Sequence, residues 1–300
     1  MLPTTRPASW QLGLILVAGI LAVSTAAPLV RLAMDAAADR SVGFSLVLAA
    51  SRLLLASVLL LPSWRTLYQQ QPTSGAIGYA IAAGFALAIH FATWITSLAF
   101  TSIAASTALV TTNPIWIALL SWWWMGEKPT LKLLIGIGVA LTGALLIGLG
   151  GIHQTSTGSQ PLLGDGLALV GAWAASFYLL LGREAQKNGL GIGGYVAVAY
   201  TTAAIVLVPL PFLAQASYTH YSLTVYGYIL LTALIPQLIG HTSFNWVVRW
   251  LSPTLVTLIL LFEPVLSSLL AFVLFAEIPG STVLCGALVL LIGVAIAALA

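Results

Sequence analysis

Glu263 and Arg52 are charged side chains set in stretches that are otherwise apolar. A charge inside a bilayer is costly and persists only against protein, water or a ligand, so each marks a candidate site. Glu263 stands directly before Pro264. Proline has no N–H, so a carbonyl one turn earlier loses its helical partner and the helix breaks there. A carboxylate beside such a break can bind a cation, a solute amine or a proton. The bland alternative is a protonated glutamate bonding a neighbouring helix. Arg52, in Ala50-Ser51-Arg52-Leu53, can hold a carboxylate with its planar fork, or serve as structural glue to Glu263 or to helix-end carbonyls. His90 and His241 can relay protons, and the alternative for each is a hydrogen-bonded core histidine.

Around these four lies a polar and aromatic set. Trp94 is one turn from His90 and Asn245 one turn from His241, each pair on one helical face. Trp116 follows Asn113-Pro114 closely. Tyr178, together with Ser24, Thr25, Trp173 and Tyr200, can line a cavity. Walls of this kind suit small amphipathic solutes, with rings supplying contact and a few polar groups fixing orientation. Individually, each of these residues is as well explained by core packing.

The elements that position them come in two copies. Asn113-Pro114 recurs half the chain later as Glu263-Pro264, and Glu127-Lys128-Pro129 as Glu277-Ile278-Pro279. Gly136 and Gly143 recur as Gly286 and Gly293. Asn113 therefore holds in the first half the place of Glu263 in the second, and chemistry that depends on that charge is asymmetric. A duplicated apolar chain is the pattern of transporters whose site lies between repeats.

Of the 300 residues, 60% are hydrophobic and only 6% charged. Soluble domains carry about a quarter charged residues, so these values mark an all-α polytopic membrane protein partnered by the lipid bilayer. A net charge of +3 without a basic tract argues against nucleic acid. The single cysteine, Cys285, allows no intrachain disulfide and reads as a small core residue. No tight His, Glu or Cys spacing suggests a metal, and no cofactor motif appears.

At about 20 apolar residues per helix, breaks at charges, Pro/Gly clusters and polar runs give ten spans. They fall near 11–33, 43–61, 76–97, 103–125, 132–150, 164–182, 193–213, 225–247, 254–275 and 281–299. The first resembles a signal peptide around Val23–Ala27, but its apolar run continues to Met34, so a retained helix is expected. With a cytoplasmic N-terminus, the inner loops hold Arg6, Arg65, Lys128, Lys132, Arg183, Lys187 and Arg249, and the outer side only Arg31 and Arg40. That bias places both termini in the cytoplasm. Five spans per half is odd, so residues 1–150 and 151–300 are expected as inverted five-helix repeats. Trp10, Trp64, Trp122, Trp123, Trp124, Trp246 and Trp250 fall near span ends, as interface anchors do. Gly136, Ala140, Ala144 and Gly148 give span five a small-residue face for tight packing on span four, with a homodimer face as the alternative. Glu127 and Glu277, each two residues before a proline, read as caps or loop ion pairs.

The ten spans, the duplicated proline and Glu-x-Pro positions and the glycines after them resemble the EamA-type members of the drug/metabolite transporter superfamily. The resemblance covers essentially the whole chain. It implies a secondary transporter, commonly an exporter of amino acids or other small metabolites and drugs, in a bacterial inner membrane. It also implies a central cavity lined by the first four helices of each repeat. The expected substrate-binding set is Glu263, Asn113, Arg52, His90, Trp94, Trp116, His241, Asn245 and Tyr178, with proton coupling through the carboxylate.

The sequence lacks a GxxxxGK[ST] motif, which argues against a self-contained ATP-driven pump. An intramembrane enzyme would need paired carboxylates or a His/Asp cluster; Asp35 and Asp39 are one turn apart but nothing nearby completes a site. A membrane scaffold would leave the polar groups within the spans without a purpose. The scarcity of Lys and Arg inside the spans argues against highly charged solutes.

Overall fold

The computed structural model describes residues 7–70, 72–125, 130–152, 160–251, 256 and 259–299. Arg6, Glu127 and Lys128 lie outside the described residues, as do the side chain of Trp124 and the surroundings of Gly148. The regular elements of the described chain are all helices, joined by short turns and loops. Seven helical stretches are long and apolar enough to cross a membrane: Ser9–Ala37, Val42–Leu59, Ser74–Phe100, Ile103–Leu120, Pro161–Lys187, Ile192–Leu213 and Leu223–Val247. Three shorter apolar helices, Leu131–Ile147, Glu263–Phe275 and Ser281–Ala297, fall on spans five, nine and ten of the sequence map.

Several spans are broken. Span one is α1 (Ser9–Ser24) and α2 (Ala26–Ala37), separated at Thr25. Span two is α3 (Val42–Leu59), followed by the short α4 (Ser63–Gln70). Span three is α5 (Ser74–Phe100). Span four is α6 (Ile103–Val110) and α7 (Asn113–Met125), and span five is α8 (Leu131–Ile152). Span six is α9 (Pro161–Lys187), and span seven is α10 (Ile192–Leu207) with α11 (Leu210–Leu213). Span eight runs through α12 (Leu223–Thr232), a π-helical segment (Ala233–His241) containing Pro236, and α13 (Thr242–Val247). Spans nine and ten contribute α14 (Glu263–Phe275) and α15 (Ser281–Ala298).

The breaks follow from proline chemistry. Pro28 cannot donate to the Ser24 carbonyl one turn before it. That carbonyl accepts instead from the Ser267 hydroxyl of α14, at 2.9 Å. Pro114 likewise frees the carbonyl of Val110. Turned so that its nitrogen faces them, the Asn113 amide donates to the carbonyls of Val110 and Ala172, 3.0 Å each.

Packing pairs the spans across the two halves. α5 lies along α9, and α1 and α2 lie along span eight; α3 meets α10, α6 meets α14, and α8 meets α15. Exchanging the halves maps every one of these contacts onto itself or onto another in the set. α8 and α15 run antiparallel: Gly136 faces Gly293 and Ala297, while Gly143 faces Gly286 and Leu290. A Cβ on Gly143 would sit 2.6 Å from the Leu290 Cα, so only glycine permits this approach of backbones. The small-residue face of span five therefore packs on span ten rather than on span four, and it is covered within the chain. Ala49, Ala50, Ala80 and Ala83 are fully buried in the main core, where small side chains bring helices close. Large apolar residues such as Leu14, Leu141 and Trp123 face outward, as a lipid surface requires. Cys285 is exposed on α15 rather than buried in the core; in an apolar solvent, an apolar neighbourhood does not predict an inward position.

Candidate functional site

The two halves bring equivalent helix starts to one place. Asn113 and Glu263 are the first residues of α7 and α14, each followed by proline, and both are buried. The positive end of α14 favours a carboxylate there. The Glu263 carboxylate nevertheless makes no hydrogen bond or ion pair with another described residue.

A narrow cavity of about 50 Å³ opens beside it, lined by Glu263, Asn113, Thr111, His90, Trp94, Tyr178, His241, Phe244 and Asn245, among others. A single water needs about 10–15 Å³, so in this conformation there is room for a few waters.

Asn245 is held firmly. Its side-chain nitrogen donates to the Tyr178 hydroxyl and approaches that of Tyr200 at 3.4 Å, and its backbone carbonyl accepts from the Gln186 side chain at 3.0 Å. Tyr200 in turn shares a hydrogen bond with Thr242, at 3.2 Å. Spans six, seven and eight thus fix one amide at the cavity wall.

The histidines face one another, ring centroids 6.3 Å apart. His90 Nδ1 lies 2.9 Å from the Gly171 carbonyl. A carbonyl only accepts, so Nδ1 carries hydrogen and Nε2 is the nitrogen left for other partners. The Trp94 ring stacks parallel to His90 at 5.9 Å. Phe91 meets His241 edge-on at 5.3 Å, and the Arg52 guanidinium lies 4.3 Å from the centre of the same Phe91 ring.

Of the residues expected from sequence, Glu263, Asn113, His90, Trp94, His241, Asn245 and Tyr178 surround the cavity. Arg52 lies one ring's thickness behind its wall, fully buried, with Nε donating to Gln237 Oε1 at 2.8 Å. Trp116 is half-buried away from the cavity, its indole N–H donating to the Thr112 hydroxyl at 3.0 Å. Trp173 is exposed and packs edge-on against Phe177, so it does not line the cavity. Ser24 acts through its carbonyl at the span-one break rather than as a cavity donor. Thr111, Phe244 and Gln237 were not singled out. The polar run Thr111-Thr112-Asn113 inside an apolar span was a readable signal, as was Gln237 beside Pro236. Phe244 carried none.

A second polar cluster sits at one end of the bundle. Arg31 donates to the Thr101 carbonyl (2.9 Å) and lies 3.7 Å from the Glu277 carboxylate. Glu277 also accepts from the Ile103 backbone N–H at the start of α6 (2.8 Å), so it serves as both ion-pair partner and cap. The Thr101 hydroxyl donates to Asp165 at 2.8 Å.

Broken helices meeting at a small cavity that carries several polar side chains, in a bundle with an apolar exterior, fit a multi-pass membrane transporter. The EamA-like transporter family model matches residues 9–149 and again 162–299, and the chain belongs to that family. It is 28% identical over 180 residues to a protein of Streptantibioticus cattleyicolor named "Probable terminal-alkyne amino-acid exporter". That alignment spans 59% of this chain and 58% of the exporter. A solved crystal structure, 18% identical, superposes with a TM-score of 0.62 over 97% of this chain and 98% of its own, a likeness of fold.

Proposed function

We propose that the chain is a secondary carrier that exports amino acids or other small metabolites by alternating access. The observation that carries this reading is the pair of proline-marked helix starts, Asn113 and Glu263, one from each half, meeting at one cavity. In alternating-access carriers the site lies between repeats and is built from discontinuous helices. The repeats are residues 1–150 and 151–300, and their inversion is supported by the antiparallel α8–α15 pair. The likeness to an amino-acid exporter supports the solute class. The charge bias of the loops puts both termini in the cytoplasm and the Arg31–Glu277 cluster at the outer mouth.

Glu263 receives the solute's amine or a coupling proton. Asn113 and Asn245 orient the solute, Trp94 supplies an apolar face, and His90 and His241 complete the wall. Counterflow in proteoliposomes preloaded with amino acids and metabolites, with and without a pH gradient, tests this. Exchange of one solute class that disappears in Glu263→Gln is the expected result. Silence across a broad panel in well-folded protein would sink the carrier reading. Exchange indifferent to the pH gradient would leave a facilitator.

A further inference from the structure

A hollow far roomier than the central cavity lies on the flank of the bundle, between α4, α5 and α10. Its volume is about 530 Å³, against about 50 Å³ in the centre. α4 gives it Trp64, α5 gives Ile77 and Ile81, and α10 gives Thr201, Thr202 and Ile205. Ile81 and Ile205 are exposed, so the hollow opens on the outer face of the bundle. Behind it α5 and α10 touch at Gly84, where a Cβ would stand 2.5 Å from the Thr202 Cβ. An outward hollow at membrane depth has no water to fill it, so hydrocarbon is the occupant that suits its apolar walls.

The polar groups around it call for more than a bare chain. Thr93, Thr96 and Thr107 return their hydroxyls to carbonyls of their own helices. The hydroxyls of Thr201 and Thr202 have no partner among the described residues. α4 is amphipathic, with Leu67 buried against the hollow and Arg65 and Gln69 exposed, as in a helix lying at headgroup level. Arg65 makes no ion pair with a described residue, and positions 62–75 contain no Asp or Glu. Thr73 brings this loop to the end of α9, its hydroxyl 3.5 Å from the Asn188 carbonyl. There Glu184 is already taken by Lys187, at 2.8 Å, while Arg183 has no ion pair among the described residues. The α4 end of the hollow is therefore positive. Basic pockets between membrane helices attract anionic headgroups.

We propose that this hollow binds one anionic phospholipid from the leaflet on the α4 side. Its phosphate sits at Arg65, its ester oxygens accept from Thr201 and Thr202, and an acyl chain lies along Ile81 and Ile205. The same two helices carry His90 and Tyr200 inward, so the lipid braces the frame of the central site. Lipid binding here does not depend on the carrier reading.

The test offers the full-length protein in detergent phosphatidylglycerol or phosphatidylcholine with identical chains, and counts retained lipid by native mass spectrometry. One cation near a membrane surface favours an anionic lipid about fivefold, so the wild type should retain one phosphatidylglycerol with at least that preference. Arg65→Gln should bring the two lipids to parity. Arg40→Gln, exposed at the opposite end of α3, should leave the preference intact. Thr201→Phe, which fills the hollow and removes a hydroxyl, should lose both lipids. Equal retention by the wild type overturns the proposal, as does Arg65→Gln with its preference intact or Thr201→Phe with its lipid intact. Displacement of the lipid by inorganic phosphate would make Arg65 a soluble-anion site, and a lipid-free dimer closed over this face would make it a contact between copies; either overturns it. Should Thr201→Phe fail to fold, phosphatidylglycerol with brominated chains decides the location: it should quench wild-type fluorescence more than that of Trp64→Phe, and equal quenching overturns the proposal.

Discussion

At one end of the bundle Arg31 and Glu277 face each other at 3.7 Å, and the Thr101 hydroxyl bonds Asp165 at 2.8 Å. In the middle, Glu263 and Arg52 make no ion pair, and aromatic and imidazole rings stand around them. The end cluster spends its charges on fastening: Arg31 and Thr101 come from the first half, Asp165 and Glu277 from the second. Of the central charges, Arg52 ties α3 to span eight through Gln237, while the Glu263 carboxylate bonds no other described residue. Burial of a charge is tolerated when a partner repays it, and for the central pair the protein supplies only part of that partner. On the proposed reading, the mouth contributes mainly stability and the middle selectivity.

The largest break in that comparison is Glu263→Gln. A charge-assisted hydrogen bond is worth about 1.5–3 kcal/mol, so losing it should slow exchange about ten- to hundredfold while the protein stays folded. Initial rates in proteoliposomes, beside a melting curve of each variant, check both halves of the statement. A variant that unfolds but, where folded, exchanges normally would make Glu263 structural.

Next comes the mouth. Arg31→Ala leaves the mostly buried Glu277 without its cation, though still capping α6, and breaking such a pair costs on the order of 3 kcal/mol. The expectation is a change in exchange rate and a lower melting temperature, with the ranking of solutes unchanged. Arg31→Ala with Glu277→Ala should recover part of the loss, because no charge is then stranded. A mouth variant that altered solute ranking would end the division between mouth and middle.

Much of this was legible beforehand because proline leaves a readable trace. Pro28 and Pro114 free carbonyls that Ser267 and Asn113 then satisfy, so the breaks in spans one and four could be placed from the missing N–H alone. Ionisable and amide residues in apolar spans led to most of the cavity for a related reason: the bilayer leaves them few places to go. Partner choice was not legible. A row of small residues on α8 announces close packing but does not name α15, since glycine carries no group that could recognise one helix over another. Cys285 and Trp173 misled because, in lipid, an apolar side chain gains nothing by turning inward. Arg52 was found, but its position behind the Phe91 ring depends on packing that spacing does not encode.

The α8–α15 seam lies apart from both regions and supplies a control. Gly143→Leu would drive a side chain into the backbone of Leu290, and overpacking of this kind costs about 1–3 kcal/mol. The melting temperature should fall, and the folded fraction should exchange the same solutes in the same order.

Trp116→Phe is the smallest change expected. It removes the indole N–H that bonds the Thr112 hydroxyl just before the α7 start and leaves an aromatic ring in place. One neutral hydrogen bond contributes about 1 kcal/mol, so stability should drop slightly. Trp116 was among the residues the sequence marked for binding, yet it lies off the cavity and steadies the break from which Asn113 projects. If that steadying is all it does, relative exchange rates among solutes stay unchanged, whatever happens to their common scale. A selective loss for bulky solutes would instead place its ring on the path they travel, and the boundary of the central region would then have to be drawn through α7.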